Sequence, residues 1–371
     1  MSYRLGVDVG GTFTDFLLIN ESDGSTYTAK VPSTPEDSSI GVLNGVERIC
    51  EQSGVNPKDI KLVMHGTTVA TNAVLTGNGA KVGLLTTKGY ESILQVARSF
   101  CPGGLGGWVS FVKGPLLAPL ELTYGIKERT DASGEISIPL DEDHLKEQLT
   151  QLKKRGQVEA LTISFVNSYI NNANEVLAAK IAAEIFTDVP ISISSEVIPE
   201  MQEYERAETT VLNSYVRPQV SSYVNNLQSN LEKSLGSDVQ LSILRSDGGL
   251  ASSRSTGDSP VNHLMSGPAG GVAGAIHFCN QAGFENIFDS KFRYPQVSDK
   301  KLAITKPDVI LLSSEPFPFN EKHVNEIQII CPNAEIRLVD GEIFSWYGNR
   351  LLLAGSYLKN LRLSIDNKDL T

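Results

Sequence analysis

The first twenty residues constrain the fold most, because they place a pair of glycines between two apolar segments. In the first segment, four residues alternate with smaller or polar ones: Tyr3, Leu5, Val7 and Val9. This two-residue period predicts a β-strand. Gly10 and Gly11 end the strand, and a second apolar strand follows at residues 16–19 (FLLI). We therefore predict a tight glycine turn whose backbone N–H groups can contact an anion, because glycine has no Cβ.

The side chains around this turn suit phosphate and metal binding. Residues 8–15 have the sequence DVGGTFTD. The candidate phosphate-binding residues are Gly10, Gly11, Thr12 and Thr14. Asp8 and Asp15 are candidate ligands of Mg²⁺, because carboxylates suit hard cations. A plain hairpin turn is the alternative; the commoner phosphate motifs G-x-x-x-x-G-K-S/T and G-x-G-x-x-G do not occur in the sequence.

The remainder of the chain alternates helical and strand-like segments, which indicates an α/β layered architecture. The predicted helices cover residues 35–51, 68–75, 141–155, 173–186 and 200–235, and the predicted strands cover 62–64, 81–86, 158–166, 190–194 and 239–245. Residues 100–108 (FCPGGLGGW) are too rich in glycine for regular structure and predict a loop. Gly267, Gly271 and Ala275 recur every four residues, which predicts a helix with a flat face for close packing.

A second candidate site lies where the strand ending at His65 meets the next helix. The free N–H groups of that helix start, together with the Thr67 and Thr68 hydroxyls, form a pocket for an anion or a carbonyl oxygen. His65 can act there as a base, a metal ligand or a hydrogen-bond donor to substrate. A structural histidine in the core is the alternative interpretation.

A third candidate site follows the apolar strand at residues 241–244. Asp247, Gly248 and Gly249 come at its carboxyl end, where α/β sheets bind their ligands. A simple Asp-Gly turn is the alternative. Glu200 and Glu203 share one face at the start of the long helix predicted at 200–235. This pair is a further candidate for a functional site, and a solvated charged face explains it equally well.

The other histidines have no partner pattern and are interpreted as structural or exposed: His144, His263, His277 and His323. The net charge of −11 argues against nucleic acid as a partner. No apolar run reaches the ~18 residues needed to cross a bilayer, so we expect no membrane association. Four scattered cysteines with no metal or disulfide spacing, and no secretory signal, predict the cytoplasm.

Five motifs, in order, resemble the hydantoinase A / 5-oxoprolinase family of subunits that open cyclic amides with ATP. They occupy residues 5–15, 65–73, 199–206, 246–250 and 266–271. The first also resembles the phosphate loop of the actin-like ATPase and sugar-kinase superfamily. The resemblance implies a ribonuclease H-like first half with an α/β insertion, and we expect domains at residues 1–99 and 100–286.

The resemblance also implies chemistry and partners. Phosphorylation of the ring carbonyl by ATP would drive hydrolysis of a hydantoin or 5-oxoproline type of substrate, with Mg²⁺ as cofactor. The implied catalytic residues are His65, Thr67, Thr68 and Asp247. Gly248 and Gly249 would join the phosphate-binding residues, and a separate hydantoinase B-type subunit would be the protein partner.

The resemblance ends after residues 283–287 (GFENI). The family normally continues with a second Asp-x-Gly-Gly-Thr loop, which does not occur anywhere up to Thr371. The nucleotide site is therefore expected to be half built, and a non-catalytic fused remnant that binds a partner is one alternative to the enzyme. Asn174 departs from the family more locally, because relatives often carry His there, and we expect an altered polar contact.

Residues 287–371 differ in composition from the rest of the chain. They hold 11 Lys and Arg, 11 Asp and Glu, and only 3 of the 32 glycines. Residues 306–319 and 338–348 resemble the carboxyl-terminal lobe of metal-chelate or cobalamin substrate-binding proteins of ABC importers. This predicts a small α/β fragment joined by gene fusion. The second alternative function is accordingly a chelate-binding module that uses four aromatic residues, Phe317, Phe319, Trp346 and Tyr347.

Overall fold

The computed structural model describes residues 2–10, 12–34, 38–99, 114–288, 296–314, 317–341 and 351–366. The chain divides into two compact units. Unit 1 comprises Met1–Thr68, Asn226–Ser253 and Asn262–Thr371, and unit 2 comprises Val69–Asn225 and Arg254–Val261. The predicted domain boundaries after residues 99 and 286 stay predictions. The predicted glycine-rich loop at 100–108 lies outside the described residues.

Unit 1 is built on a mixed six-stranded sheet. Its strands, numbered in chain order, are β1 (Tyr3–Val9), β2 (Phe13–Asn20), β3 (Thr26–Pro32), β4 (Ile60–Gly66), β11 (Gln240–Leu244) and β12 (Leu250–Ser252). Their spatial order is β12-β11-β4-β1-β2-β3. The first three strands form an antiparallel meander, whereas β4 and β11 run parallel to β1. This topology confirms the predicted ribonuclease H-like fold class.

Strict alternation of burial explains why this sheet forms. In β1 and β2 every second residue is buried, so one face of the meander lies in the core. Helix α1 (Ser38–Ser53) covers that face, and a Cβ on Gly45 would lie 2.0 Å from the Phe16 ring, so only glycine permits this close approach. Helix α1 corresponds to the helix predicted at 35–51. Residues 35–37 of that prediction lie outside the described residues.

Unit 2 contains a parallel four-stranded sheet with helices. Its strands are β5 (Val82–Thr87), β6 (Thr123–Ile126), β9 (Ala160–Ser164) and β10 (Ile191–Ile193), in the spatial order β10-β9-β5-β6. A small hairpin comprises β7 (Arg129–Thr130) and β8 (Ile136–Ile138). The helices that lie wholly or mostly in this unit are α2 (Val69–Thr76), α3 (Ile93–Val96), α4 (Glu142–Lys154), α5 (Ala173–Ile185), α6 (Ser194–Val197), α7 (Glu203–Leu235) and α8 (Ser253–Asp258). The core of unit 2 includes leucines of α4, which pack with Ile163 and Phe165.

The remaining elements belong to unit 1. They are α9 (Ser266–Gln281), α10 (Asp299–Thr305), β13 (Val309–Ser313), α11 (Glu321–Ile330), β14 (Glu335–Val339) and α12 (Leu351–Asp366). Strands β13 and β14 pair in parallel, and α12 contacts α9. Phe317 and Phe319 pack edge-to-face at 4.8 Å between ring centroids, whereas Trp346 and Tyr347 lie outside the described residues. The gene-fusion interpretation of this fragment stays a prediction.

None of the helices in the described segments combines the length and the apolar character that spanning a bilayer requires.

Candidate functional site

Three predicted motifs follow strands that end at the same edge of the unit 1 sheet. Strands β1, β4 and β11 run parallel, with Asp8 opposite Gly66 and His65 opposite Ile243. The segments after these strands therefore emerge side by side: the glycine turn, then Thr67 and Thr68, then Asp247. The carboxyl edge of parallel strands is where α/β proteins bind ligands.

The glycine turn is closed by its own backbone. The Gly10 N–H donates to the Phe13 carbonyl at 3.0 Å, and the Ser33 hydroxyl donates to the Gly10 carbonyl at 2.7 Å. A Cβ on Gly10 would lie 3.0 Å from the Phe13 oxygen, which accounts for glycine there. Because the Gly10 N–H is engaged within the hairpin, an anion must use other donors of the turn. Thr12 is exposed, and Gly11 lies outside the described residues.

Two carboxylates and one ammonium form a row across three strands on one face. Asp8 is opposite Asp15 in the β1–β2 pair, and Asp15 is opposite Lys30 in the β2–β3 pair. The Lys30 Nζ lies 3.3 Å from the Asp15 Oδ2 and 5.0 Å from the centroid of the Phe13 ring. Lys30 was not among the residues singled out from sequence, because its place opposite Asp15 depends on strand register.

The donor set of this row fits a magnesium ion that is shared with phosphate groups. Mg²⁺ usually keeps several waters and takes only one or two protein carboxylates beside substrate phosphates. Asp8 and Asp15 supply two carboxylates on one face. Across the described part of the chain, no cluster of three or more His, Cys, Asp and Glu side chains could hold a metal by itself. The pair therefore suits a metal that arrives with a nucleotide.

Thr14 and His65 lie on the opposite, buried face of the sheet. Thr14 is fully buried, with its hydroxyl 3.0 Å from that of Ser33. His65 is 1% exposed and pairs with Val7, whose carbonyl oxygen lies 3.4 Å from the imidazole Nδ1. Burial lowers the pKa of His65 to about 4, so its imidazole is neutral at pH 7. The structure does not bring these two side chains together with the Asp8 carboxylate.

The second and the last of the sequence motifs meet at Thr67. Thr67 is buried, and its carbonyl accepts a hydrogen bond of 3.3 Å from the Ser266 hydroxyl at the start of α9. Thr68 is half-buried and directly precedes α2, within one residue of the predicted helix start. Ser266 was part of the motif at 266–271 but was given no role from sequence. Met265, just before it, has a backbone φ of 60°, which is uncommon for a residue other than glycine.

Asp247 organises its own turn. Its carboxylate accepts a hydrogen bond of 3.0 Å from the Gly249 N–H and pairs with Arg245 at 2.9 Å. The hydrogen bond from Gly249 and the charge of Arg245 lower the pKa of Asp247. Gly248 has a φ of 82°, a conformation that favours glycine. These contacts are those of an Asp-Gly turn, and the catalytic and phosphate-binding roles of these residues stay predictions.

His263 is also buried, and its side chain contacts the end of β11 at this edge. Its Nδ1 is 2.9 Å from the Leu244 carbonyl oxygen, and burial lowers its pKa. The neighbouring Ser246 N–H donates to the Asn262 carbonyl at 2.8 Å. The sequence analysis interpreted His263 as structural or exposed, and its buried position agrees with the first of these.

The charged start of α7 is held inside unit 2. Arg206 is 1% exposed, pairs with Glu203, and donates to the Ser194 hydroxyl at 3.0 Å and to the Phe165 carbonyl at 2.6 Å. The buried Glu175 accepts from the same Ser194 hydroxyl at 2.6 Å. The solvated charged face considered for Glu200 and Glu203 therefore does not extend to Arg206, whose buried contacts are those of a structural network.

Together, the sheet order and the three loops at its carboxyl edge define an α/β protein of the actin-like ATPase type. The chain belongs to the hydantoinase/oxoprolinase family. The family model for the hydantoinase/oxoprolinase N-terminal region matches residues 4–186, and the hydantoinase/oxoprolinase model matches residues 206–289.

Named relatives are similar in sequence over about three quarters of the chain. It is 34% identical over 289 residues to the caprolactamase subunit alpha of Pseudomonas jessenii, covering 77% of this chain and 41% of the relative. It is 29% identical over 304 residues to the 5-oxoprolinase of Dictyostelium discoideum, covering 74% of this chain and 24% of the relative. The chain therefore spans less than half the length of these relatives.

Solved structures agree with the sequence comparison. The ATP-dependent caprolactamase from Pseudomonas jessenii superimposes with a TM-score of 0.67 at 32% identity, and nucleotide-free acetone carboxylase with a TM-score of 0.69 at 26% identity. Each match covers 76% of this chain and 41% of the solved chain.

Proposed function

We propose that this chain is the nucleotide-binding part of an ATP-dependent hydrolase that opens a cyclic amide of the hydantoin or 5-oxoproline type. The observation that carries the proposal is the pairing of Asp8 with Asp15 beside the glycine turn, at the carboxyl edge of β1, β4 and β11. Relatives that are named ATP-dependent caprolactamase and 5-oxoprolinase support both the nucleotide and the substrate class.

In the proposed chemistry, ATP activates an amide carbonyl that reacts only slowly with water. An amide is a poor electrophile, so its oxygen first attacks the γ-phosphorus of ATP, and the bond to the β–γ bridging oxygen breaks to release ADP. Water then adds to the activated carbon, and the C–N bond opens as nitrogen takes a proton. A second water hydrolyses the resulting acyl phosphate to carboxylate and phosphate.

The residues of this chain would act by positioning, because phosphoryl transfer depends on alignment and charge neutralisation. Asp8 and Asp15 would hold Mg²⁺ directly or through water, and Thr12 would donate its hydroxyl to a phosphate. Mg²⁺, when bound, neutralises phosphate charge. Thr67 and Thr68 would face the substrate at the same edge. His65, neutral and buried, would orient this edge from the core side of the sheet.

These 371 residues contain one of the two phosphate loops expected for the family, and turnover would need residues beyond them. Relatives named as subunits, such as caprolactamase alpha, support a hydantoinase B-type second polypeptide. A chain that binds nucleotide and partner without turnover is the second candidate function, and the single loop favours it.

Calorimetry and turnover assays separate these functions. We expect MgATP to bind the folded chain, and we expect release of ADP that depends on 5-oxoproline, hydantoin or caprolactam when a B-type subunit is present. Binding without turnover, with and without that subunit, would favour the non-catalytic candidate. Absence of MgATP binding by folded protein would refute both.

A further inference from the structure

Unit 2 contains a cavity at the carboxyl edge of its parallel sheet that none of the motifs accounts for. The cavity has a volume of about 440 Å³, within the range of about 300–1,000 Å³ that is usual for small-molecule sites. Its lining side chains come from the ends of β5 and β6 and from the β7–β8 hairpin: Thr87, Lys88, Lys127, Glu128, Arg129 and Ile138.

The topology of the sheet makes this edge a ligand position. In chain order its strands are first β5, then β6, β9 and β10, whereas in space they lie in the order β6-β5-β9-β10. The chain therefore continues on one side of β5 and then crosses to the other, which creates a switch point between β5 and β9. Open parallel sheets bind ligands outside the carboxyl ends of their strands, and the cavity lies at that edge beside β5 and β6, on the other side of β5 from the switch point.

Thr87 links the segments that follow β6 and β9. Its hydroxyl oxygen accepts a hydrogen bond of 2.9 Å from the Val166 N–H, just after β9, and the hydroxyl donates to the Glu128 carboxylate, just after β6. The Asn174 amide donates to the other Glu128 oxygen at 2.9 Å. Glu128 is 3% exposed, so both hydrogen bonds hold an acceptor in a fixed position at the cavity wall.

The charges around the cavity favour an anion. Three cationic side chains line it against one carboxyl group, and among the described residues an ion pair with an acid forms for Lys127 alone, with Asp141 at 3.5 Å. The Arg129 guanidinium lies 5.2 Å from the centroid of the Tyr90 ring and is thereby restrained. Lys88 is exposed and forms no ion pair with any residue in the described segments. Burial raises the pKa of Glu128 above its ordinary value.

We propose that this cavity binds a small carboxylic acid, whose carboxylate contacts Lys88 and Arg129 and whose adjacent O–H or N–H donates to Glu128. Two cations supply the charge-assisted hydrogen bonds that a carboxylate requires. The fixed Glu128 oxygens select acids that carry a donor. The site lies wholly within unit 2 and does not depend on the proposed nucleotide site.

The test uses three matched probes, lactate, propionate and propionamide, in ligand-observed NMR titrations of the full chain. Propionamide lacks the charge of propionate, and propionate lacks the hydroxyl of lactate. We expect the affinity order lactate, propionate, propionamide. Lys88→Gln and Arg129→Gln are each expected to weaken lactate binding about 10-fold, or about 1.4 kcal/mol. Lys154→Gln, an exposed cation at the far end of α4, is the matched control and leaves binding unchanged.

A second readout needs no variant. Bound lactate should protect Lys88, and not Lys154, from an amine-labelling reagent followed by mass spectrometry. No binding of either acid, equal binding of propionate and propionamide, or unchanged lactate binding by folded Arg129→Gln would each overturn the proposal. The substitutions lie in unit 2 and leave the glycine turn of unit 1 unchanged. A chain that binds MgATP but not lactate would therefore refute this proposal without refuting the proposed function.

Discussion

Asp8 and His65 lie on adjacent parallel strands, yet their side chains are on opposite faces of the sheet. The register pairs His65 with Val7, the residue before Asp8. Successive side chains of a strand alternate between faces, so His65 shares the buried face with Phe16, while Asp8 shares the other face with Asp15. The carboxylates therefore belong to the candidate metal site, and the imidazole belongs to the core behind it.

Removing the Asp8 carboxylate tests the proposed metal site. We expect Asp8→Asn to weaken MgATP binding at least about 10-fold, because the variant loses one of two carboxylates available to the metal. Calorimetry measures the dissociation constant. Asp238→Asn is the control, since Asp238 pairs with Lys61 on the surface of the same unit and is outside the carboxyl edge. Equal affinity for MgATP in both variants would contradict the assignment.

The Lys30 ammonium forms an ion pair with Asp15 and therefore competes with a metal ion for that carboxylate. We expect Lys30→Gln to tighten binding of Mn²⁺, a paramagnetic substitute for Mg²⁺, about 3- to 10-fold in the absence of nucleotide, because a competing cation is removed. Electron paramagnetic resonance measures free Mn²⁺. Lys61→Gln removes an equivalent surface ion pair and should leave Mn²⁺ binding unchanged. Weaker Mn²⁺ binding by Lys30→Gln would argue against a metal at Asp15.

The buried imidazole of His65 predicts a pH-dependent stability. Its pKa is about 4 in the folded chain, against about 6.5 when unfolded. The unfolded state therefore binds more protons between these values, and the free energy of unfolding falls as pH drops through this window. We expect a loss of about 2 kcal/mol between about pH 7.5 and about pH 5, measured by urea unfolding.

The variant His65→Gln cannot titrate in this window, so its pH-dependent loss should be smaller than that of the wild-type chain. His277→Gln, a change of an exposed histidine on α9, is the matched control. An identical loss in the wild-type chain and in His65→Gln would assign the effect to other groups.

The network around Arg206 predicts a large stability effect in unit 2. Arg206→Met leaves Glu203 without its cation and the Phe165 carbonyl without its donor. We expect a loss of about 3–5 kcal/mol, as for other buried pairs that lose one partner. Chemical denaturation measures it, with Arg254→Met, an exposed arginine of the same unit, as the control. A loss no larger than that of the control would mean that the network contributes little.

Local sequence patterns were sufficient to predict the longer strands and helices and the order of the three loops, whereas short elements such as β7, β8, β12 and α3 were not predicted. The alternation through Val7 and Val9, for example, specifies β1 because burial on one face requires a two-residue period. Faces and partners could not be predicted, because they depend on register between distant segments. The core position of His65 and the buried bonds of Arg206 to Phe165 and Ser194 are of this kind.

The alternating burial of β1 has a consequence for how this segment tolerates genetic change. Deletion of one codon between Tyr3 and Asp8 would shift every later side chain of the strand to the other surface, carrying the carboxylate toward Phe16 and exposing Val7 to water. Conservative substitutions keep each side chain on its face of the sheet, whereas inserting or deleting an odd number of residues does not. Insertions at the exposed turn of Asp23 and Gly24 avoid this constraint, so a library of random insertions and deletions should recover functional clones there and not within the strand.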